Sequence, residues 1–185
     1  MGFVGVVFDK DNTITAPYSL SIWAPLALSV HQCKSLFGNN VAVFSNSAGN
    51  FKAIPFVGFD VELSFSFRCV FLCLFCVDVA YLVKKKKNGL YEYGPDGRKA
   101  GALEDAIGIK VVRHRVKKPA GTAEEIERHF GCKSSRLIMV GDRSFTDIVY
   151  GNRNGFFTIL TQPLSLIEEH LIVRQVRLLE AAIVR

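Results

Sequence analysis

The chain has 185 residues, of which 49% are hydrophobic, and it carries a formal net charge of +6 at pH 7. This length predicts one domain with a substantial core, and the five cysteines show no disulfide framework. The basic charge suits an anionic lipid surface or a phosphorylated substrate, or reflects a solvated basic surface. Nucleic acid is disfavoured as a partner, because the sequence has no aromatic-basic platform or recognition helix.

The first predicted element is a buried strand that ends in two carboxylates. Residues 3–8 form a short run rich in Val and Phe, which is typical of a strand in a parallel sheet. Asp9 and Asp11 follow, and alternate residues of an extended chain point the same way. Two carboxylates at such a short distance repel each other unless a cation lies between them. The pattern predicts a Mg²⁺ site, with a solvated turn as the alternative.

A helix and a second strand come next. Residues 19–37 are predicted to form the helix, closed by Gly38, and the apolar run 41–44 is predicted to form the strand. The strand ends at Ser45 and Asn46, where hydroxyl and backbone N–H groups suit a phosphate. The alternative is a polar turn or a helix cap.

Two later apolar runs also end in charged groups. Residues 109–112 lead into a basic cluster with Lys118 before a proline, which favours an extended backbone and a side chain that reaches into a cleft. Residues 137–140 end at Gly-Asp142, and Asp147 follows five residues later at the start of a predicted helix. A solvated basic face is the alternative for the first of these clusters.

The remaining elements complete an alternation of strands and helices. A capping box at Thr122 predicts a helix to residue 130, residues 156–160 predict a strand, and residues 164–184 predict a long amphipathic helix. The apolar stripe of that helix comprises Ile172, Val176, Leu179 and Ile183. The alternation predicts an α/β fold with a doubly wound parallel sheet.

The four strand ends resemble, in chain order, the four motifs of the haloacid-dehalogenase (HAD) superfamily of phosphohydrolases. The exact residues of these motifs resemble more closely those of the phosphatidylglycerophosphate phosphatases of mitochondria and plastids. The matching segments are Phe8-Asp-Lys-Asp-Asn-Thr13, Phe44-Ser-Asn-Ser-Ala-Gly49, His114-Arg-Val-Lys-Lys-Pro119 and Gly141-Asp-Arg143. The resemblance implies a HAD-like, Rossmann-like domain with a minimal cap or none. It also implies Mg²⁺ as cofactor.

The resemblance assigns roles to the residues at the strand ends. Asp9 is implied as the nucleophile that forms an aspartyl phosphate, and Asp11 as the general acid and base. The implied Mg²⁺ ligands are Asp9, the Asp11 backbone carbonyl and Asp142. Lys118, Ser45 and Asn46 are implied to hold phosphoryl oxygens. Asp147 is implied either to orient Lys118 or to support the metal.

The substrate follows from the resemblance alone. It implies conversion of phosphatidylglycerophosphate to phosphatidylglycerol in phospholipid (cardiolipin) biosynthesis, at a peripheral membrane surface of a mitochondrion or plastid, with any targeting leader upstream. The alternatives are a HAD phosphatase for a soluble sugar or nucleotide phosphate, and a non-catalytic, membrane-adsorbing product of an altered transcript. The sequence does not fix the oligomeric state.

One block departs from the resembling family. Residues 50–88 are rich in Phe, Val, Leu and Cys and end near four consecutive lysines. We interpret them as an insertion into the single domain 1–185, either translated non-coding sequence such as a retained intron or a lineage-specific insertion. A cap element, or a membrane-spanning helix within 63–83, is the alternative.

Overall fold

The computed structural model describes residues 2–46, 98–114, 116–167, 169 and 171–183. These residues contain a five-stranded sheet in the order β3-β2-β1-β4-β5, and every neighbouring pair is parallel. The strands are β1 (Gly5–Phe8), β2 (Val41–Val43), β3 (Lys110–Val111), β4 (Leu137–Gly141) and β5 (Phe157–Leu160). The predicted parallel α/β fold is confirmed.

Helices connect these strands. They are α1 (Ala27–Phe37), α2 (Arg98–Ile107), α3 (Glu124–Phe130), α4 (Val149–Arg153) and α5 (Leu171–Ile183). Short 3₁₀ turns precede α1 (Ala24–Leu26) and β4 (Ser134–Arg136), and a π-helical turn (Ser144–Ile148) leads into α4.

The two faces of the sheet bury separate apolar cores. Val6 of β1 lies in a cluster with Leu103 of α2, whereas the next residue, Val7, lies in a cluster with Ile126 of α3. Successive side chains of a strand point to opposite faces, so one short run of valines serves both cores. Burial of each such side chain contributes about 1.5–3 kcal/mol, and helices therefore cover both faces.

The strand order determines where polar loops meet. β1 is paired with β2 on one side and with β4 on the other. The chain winds one way from β1 to β3 and the other way from β4 to β5, so the order reverses between β1 and β4. In open parallel sheets the ligand crevice lies at the carboxyl ends of the strands at such a reversal.

The first predicted helix starts later than the sequence indicated. Residues 19–23 are not helical, because Thr15 forms a bridge with Ile22 and the Trp23 N–H donates to the Ile14 carbonyl. These contacts fold the segment back onto the loop after β1, and α1 begins only at Ala27. Its predicted end is confirmed, since Gly38 follows the helix with φ +58°.

Two further helix predictions were partly wrong. The α3 helix ends before Gly131 as predicted, but its N-cap is Ala123, so the capping box at Thr122 does not form. The last helix begins at Leu171 rather than at residue 164, and Ile183 of the predicted apolar stripe is 51% exposed. A carboxylate of the same helix, Glu180, is by contrast only 4% exposed.

The predicted insertion, residues 50–88, lies outside the described residues, as does the possible span within 63–83. The domain organisation therefore stays a prediction. In the part of the chain that the structure describes, no helix has the length and hydropathy needed to cross a bilayer.

Candidate active site

A tight loop after β1 places the first predicted site residues at the crevice. The Asp9 N–H donates to the Val140 carbonyl at 2.8 Å, which continues the pairing of β1 with β4. The Lys10 carbonyl then accepts N–H groups from residues 13–15, and Asn12 adopts a φ of +60° that asparagine tolerates well. Asp9 and Asp11 both line the cavity that this loop borders.

Lys118 lies at the centre of the site. Its Nζ donates to Asp9 Oδ1 at 2.8 Å, to Asp147 Oδ1 at 2.6 Å and to the Phe44 carbonyl at 2.8 Å. The side chain is 1% exposed, and an ammonium group has three protons to donate, so these contacts match its capacity. Burial alone lowers the pKa of Lys118, but the charges of Asp147 and Asp9 outweigh it and raise the pKa, which keeps the amine protonated.

Asp147 enters the site from the π-helical turn that follows β4. Burial and the charge of Asp9 together raise its pKa to about 7, against the opposing charge of Lys118. An added Cβ at Gly141 would lie 2.4 Å from Asp147 Cβ and Cγ, so the close approach requires glycine at the end of β4.

Three buried carboxylates converge on one point. Asp9, Asp142 and Asp147 each present an oxygen, and these oxygens lie within 4.8 Å of one another. Burial raises the pKa of Asp142, and the charge of Asp9 adds to the effect, as expected of carboxylates that lack sufficient counter-charge. A set of oxygen donors with excess negative charge fits Mg²⁺.

The Asp11 carboxylate lies beside this group rather than in it. Asp11 Oδ1 accepts from Lys10 Nζ at 2.6 Å and from the Tyr18 N–H at 2.9 Å. The residue still borders the cavity. Both roles expected of Asp11 stay predictions.

The segment after β2 holds Lys118 in place. Asn46 Nδ2 donates to the Lys118 carbonyl at 3.0 Å, and Asn46 Oδ1 accepts the Lys118 N–H at 2.9 Å. Both ends of this amide therefore engage backbone, while Ser45 is 1% exposed and borders the cavity. Phosphate binding by Ser45 and Asn46 stays a prediction, and the geometry gives Asn46 a positioning contact.

Sequence reasoning missed the residues that close the cavity from the C-terminal segment. Arg177 of α5 donates from Nη1 to the Asp142 carbonyl at 3.0 Å and from Nη2 to the Asp142 carboxylate. Its Nε donates to both carboxylate oxygens of Glu169, at 2.9 and 2.8 Å. The predicted apolar stripe of α5 gave no indication of these contacts. The only available signal was the presence of charged residues close to that stripe.

The structure defines an α/β fold whose parallel sheet carries carboxylates after β1 and β4 and a buried lysine between them. A family model described as mitochondrial PGP phosphatase matches residues 1–56 and 80–165. The chain belongs to this family. The match leaves out residues 57–79, which lie within the predicted insertion, and it ends before α5.

Curated relatives carry the same family name. Phosphatidylglycerophosphate phosphatase 1, chloroplastic/mitochondrial, of Arabidopsis thaliana is 56% identical over 184 residues, covering 100% of this chain and 41% of the relative. The chloroplastic relative of Chlamydomonas reinhardtii is 38% identical over 164 residues, covering 89% and 46%. The mitochondrial phosphatidylglycerophosphatase GEP4 of Saccharomyces cerevisiae is 26% identical over 179 residues, covering 90% and 75%. The chain spans less than half the length of the plant and algal relatives.

Proposed function

We propose that this chain is a phosphomonoester hydrolase that removes the terminal phosphate of phosphatidylglycerophosphate and releases phosphatidylglycerol. The observation that carries the proposal is the buried Lys118 amine between the Asp9 and Asp147 carboxylates. A nucleophilic carboxylate beside a fixed cation is the arrangement that phosphoryl transfer needs. The names of the three relatives supply the substrate.

The reaction is divided between two carboxylates on one loop. An Asp9 oxygen attacks phosphorus, a new P–O bond forms, and the bond from phosphorus to the glycerol oxygen breaks. Asp11 gives a proton to that departing oxygen and later takes one from the water that hydrolyses the aspartyl phosphate. Lys118 holds the charge that spreads over the phosphoryl oxygens, and Ser45 donates to the same group.

The residues that would hold Mg²⁺ are Asp9, Asp142 and the Asp11 carbonyl. When bound, the ion supplies positive charge that offsets the phosphate and the clustered carboxylates. For Asp147, the 2.6 Å contact with Lys118 favours orientation of the lysine over support of the metal. This assignment gives every buried charge of the cluster a partner during the reaction.

The setting of the reaction follows from the substrate. We propose that the chain acts at the surface of a mitochondrial or plastid membrane, in line with the compartments in the relatives' names. A protein of net charge +6 is attracted to an anionic lipid surface, and the attraction weakens with salt.

The catalytic part of the proposal is tested with a generic aryl phosphate. We expect hydrolysis in Mg²⁺, loss of hydrolysis on chelation, and loss in Asp9→Asn without loss of fold. Asp105→Asn is the matched control, because Asp105 lies exposed on α2. Full activity of Asp9→Asn would contradict the assignment of the nucleophile.

The substrate is tested separately. Phosphatidylglycerophosphate in mixed micelles is compared with a sugar phosphate and a nucleoside monophosphate at equal concentration. We expect kcat/KM to be highest for the lipid. A higher value for a soluble phosphate would preserve the chemistry and overturn the proposed substrate, and no hydrolysis of any phosphate would overturn both.

A further inference from the structure

The C-terminal segment borders the same cavity as the predicted catalytic residues. Glu169, Val173 and Arg177 line it together with Asp9 and Lys118. The family match ends at residue 165, so nothing in that match accounts for α5. Arg177 and Glu180 of α5 make partly buried polar contacts with the site, whereas the apolar residues Leu171 and Ile183 at the two ends of the helix are exposed.

Arg177 and Thr13 hold the Asp142 carboxylate from two directions. Thr13 Oγ1 donates to Asp142 Oδ1 at 3.1 Å, and Arg177 donates to Oδ2 and to the Asp142 carbonyl. Two donors from one guanidinium on one residue fix both the backbone and the side chain of Asp142. A carboxylate held in this way has one orientation.

Glu169 and Asn12 fix Arg177 in turn. Asn12 Nδ2 donates to Glu169 Oε1 at 2.6 Å, and Asn12 Oδ1 accepts the Ser165 N–H at 2.9 Å. The Glu169 side chain is 6% exposed and faces the guanidinium, so its charge offsets that of Arg177. The pair brings little net charge toward a cation and acts mainly through geometry.

A carboxylate on α5 holds the backbone after Asp142. Glu180 Oε1 accepts the Phe145 N–H at 3.1 Å and lies 3.8 Å from Arg143 Nε. Arg177 and Glu180 are three residues apart, which places them on one face of a helix. That face therefore meets both Asp142 and the turn that carries Asp147.

We propose that Arg177 is a positioning residue for the divalent-cation site. Arg177 orients the Asp142 carboxylate, and Glu169 neutralises and aligns the Arg177 guanidinium. The inference rests on the proposed function for the identity of the cation site, but not on the substrate. It predicts the direction of the change in Mg²⁺ affinity. Partners that hold metal-ligating side chains in place raise metal affinity, whereas a guanidinium that competed with the cation would lower it.

The test is direct Mg²⁺ binding by titration calorimetry on the whole chain, without substrate. The variants are Arg177→Gln, Arg177→Lys and the double variant Glu169→Gln/Arg177→Gln, which removes the charge of Glu169 together with that of Arg177. Arg174→Gln is the matched control, since Arg174 is exposed on the same helix. Circular dichroism and thermal unfolding without Mg²⁺ give the folded fraction of each protein.

We expect the Mg²⁺ dissociation constant to rise about tenfold or more in Arg177→Gln and in the double variant. Arg177→Lys is expected to lie between these and wild type, because one ammonium group replaces the planar fork, and Arg174→Gln is expected to match wild type. If Arg177→Gln does not fold, the double variant and Arg177→Lys decide the test.

Unchanged or tighter Mg²⁺ binding by the folded variants would overturn the inference, and so would the absence of Mg²⁺ binding by wild type. Hydrolysis of phosphatidylglycerophosphate is measured separately. Weakened Mg²⁺ binding in the variants together with no hydrolysis by wild type would support the inference and overturn the proposed substrate. Hydrolysis by wild type together with unchanged Mg²⁺ binding in the variants would support the proposed substrate and overturn the inference.

Discussion

The loop over residues 10–15 and the helix α5 reach one cavity from opposite ends of the chain, and they are held by different forces. Backbone hydrogen bonds to the Lys10 carbonyl close the loop within six residues. The helix is attached by charged side chains, Arg177 and Glu180, that contact residues 35 positions away. Such a loop keeps its shape through its own backbone hydrogen bonds, whereas a helix attached by buried charges is sensitive to the loss of each of them.

The largest effect is expected at Lys118, whose amine contacts Asp9 directly before the loop. We expect Lys118→Met to abolish hydrolysis and to lower the free energy of unfolding by about 3–5 kcal/mol in the absence of divalent cation. The reason is that the Asp9 and Asp147 carboxylates are left buried without their cation. Urea unfolding at slightly alkaline pH measures the loss.

Lys110→Met provides the control for that experiment, because the Lys110 side chain is 69% exposed. We expect it to change stability by less than about 1 kcal/mol. A wild-type unfolding midpoint for Lys118→Met would mean that the buried lysine does not hold the two carboxylates.

A smaller effect is expected on the helix, at Glu180. Glu180→Gln keeps an acceptor for the Phe145 N–H but loses the charge that faces Arg143. We expect the free energy of unfolding to fall by about 1–2 kcal/mol, since hydrogen bonds to charged groups exceed neutral ones by roughly that amount. Thermal unfolding beside Asp105→Asn is the measurement, and equal midpoints would show that α5 does not depend on this charge.

The smallest effect is expected away from the cavity, at a site that involves neither the loop over residues 10–15 nor α5. The Ser134 N–H donates to Glu127, and this hydrogen bond lowers the pKa of the carboxyl. A depressed pKa in the folded state stabilises the protein above the unfolded pKa, and the gain is lost as pH falls through the folded pKa.

We therefore expect Glu127→Gln to cost less than about 1 kcal/mol at neutral pH, because solvent screens this partly exposed group. The difference from wild type should vanish in acid. Urea unfolding across a pH series measures it, and a difference that persisted at low pH would assign the effect to packing rather than to the charge.

The contrast between local backbone contacts and contacts of distant side chains also explains which features the sequence predicted. The parallel sheet and the convergence of Asp9, Lys118, Asp142 and Asp147 follow from apolar runs that end in polar residues, because parallel strands bring their carboxyl ends to one edge. Local rules of this kind require only neighbouring residues. The helix end at Gly38 was predictable for the same reason.

The C-terminal segment was not predictable by such rules. The Ser165 N–H is held by Asn12, 153 residues away, and this contact belongs to a stretch that periodicity assigned to a helix. The helix start at residue 19 failed similarly, because Ile22 pairs with Thr15 instead. Periodicity reports which side chains can be buried on one face, but not which polar groups at a distance compete for the backbone.

The most direct test of the account is the fate of the transferred phosphoryl group. Phosphatidylglycerophosphate labelled in its terminal phosphate is mixed with the protein in Mg²⁺, and the reaction is quenched in acid during turnover. We predict label on the peptide that contains Asp9, released by hydroxylamine as expected of an acyl phosphate, and none in Asp9→Asn. Label on another residue, or wild-type turnover by Asp9→Asn, would contradict the account.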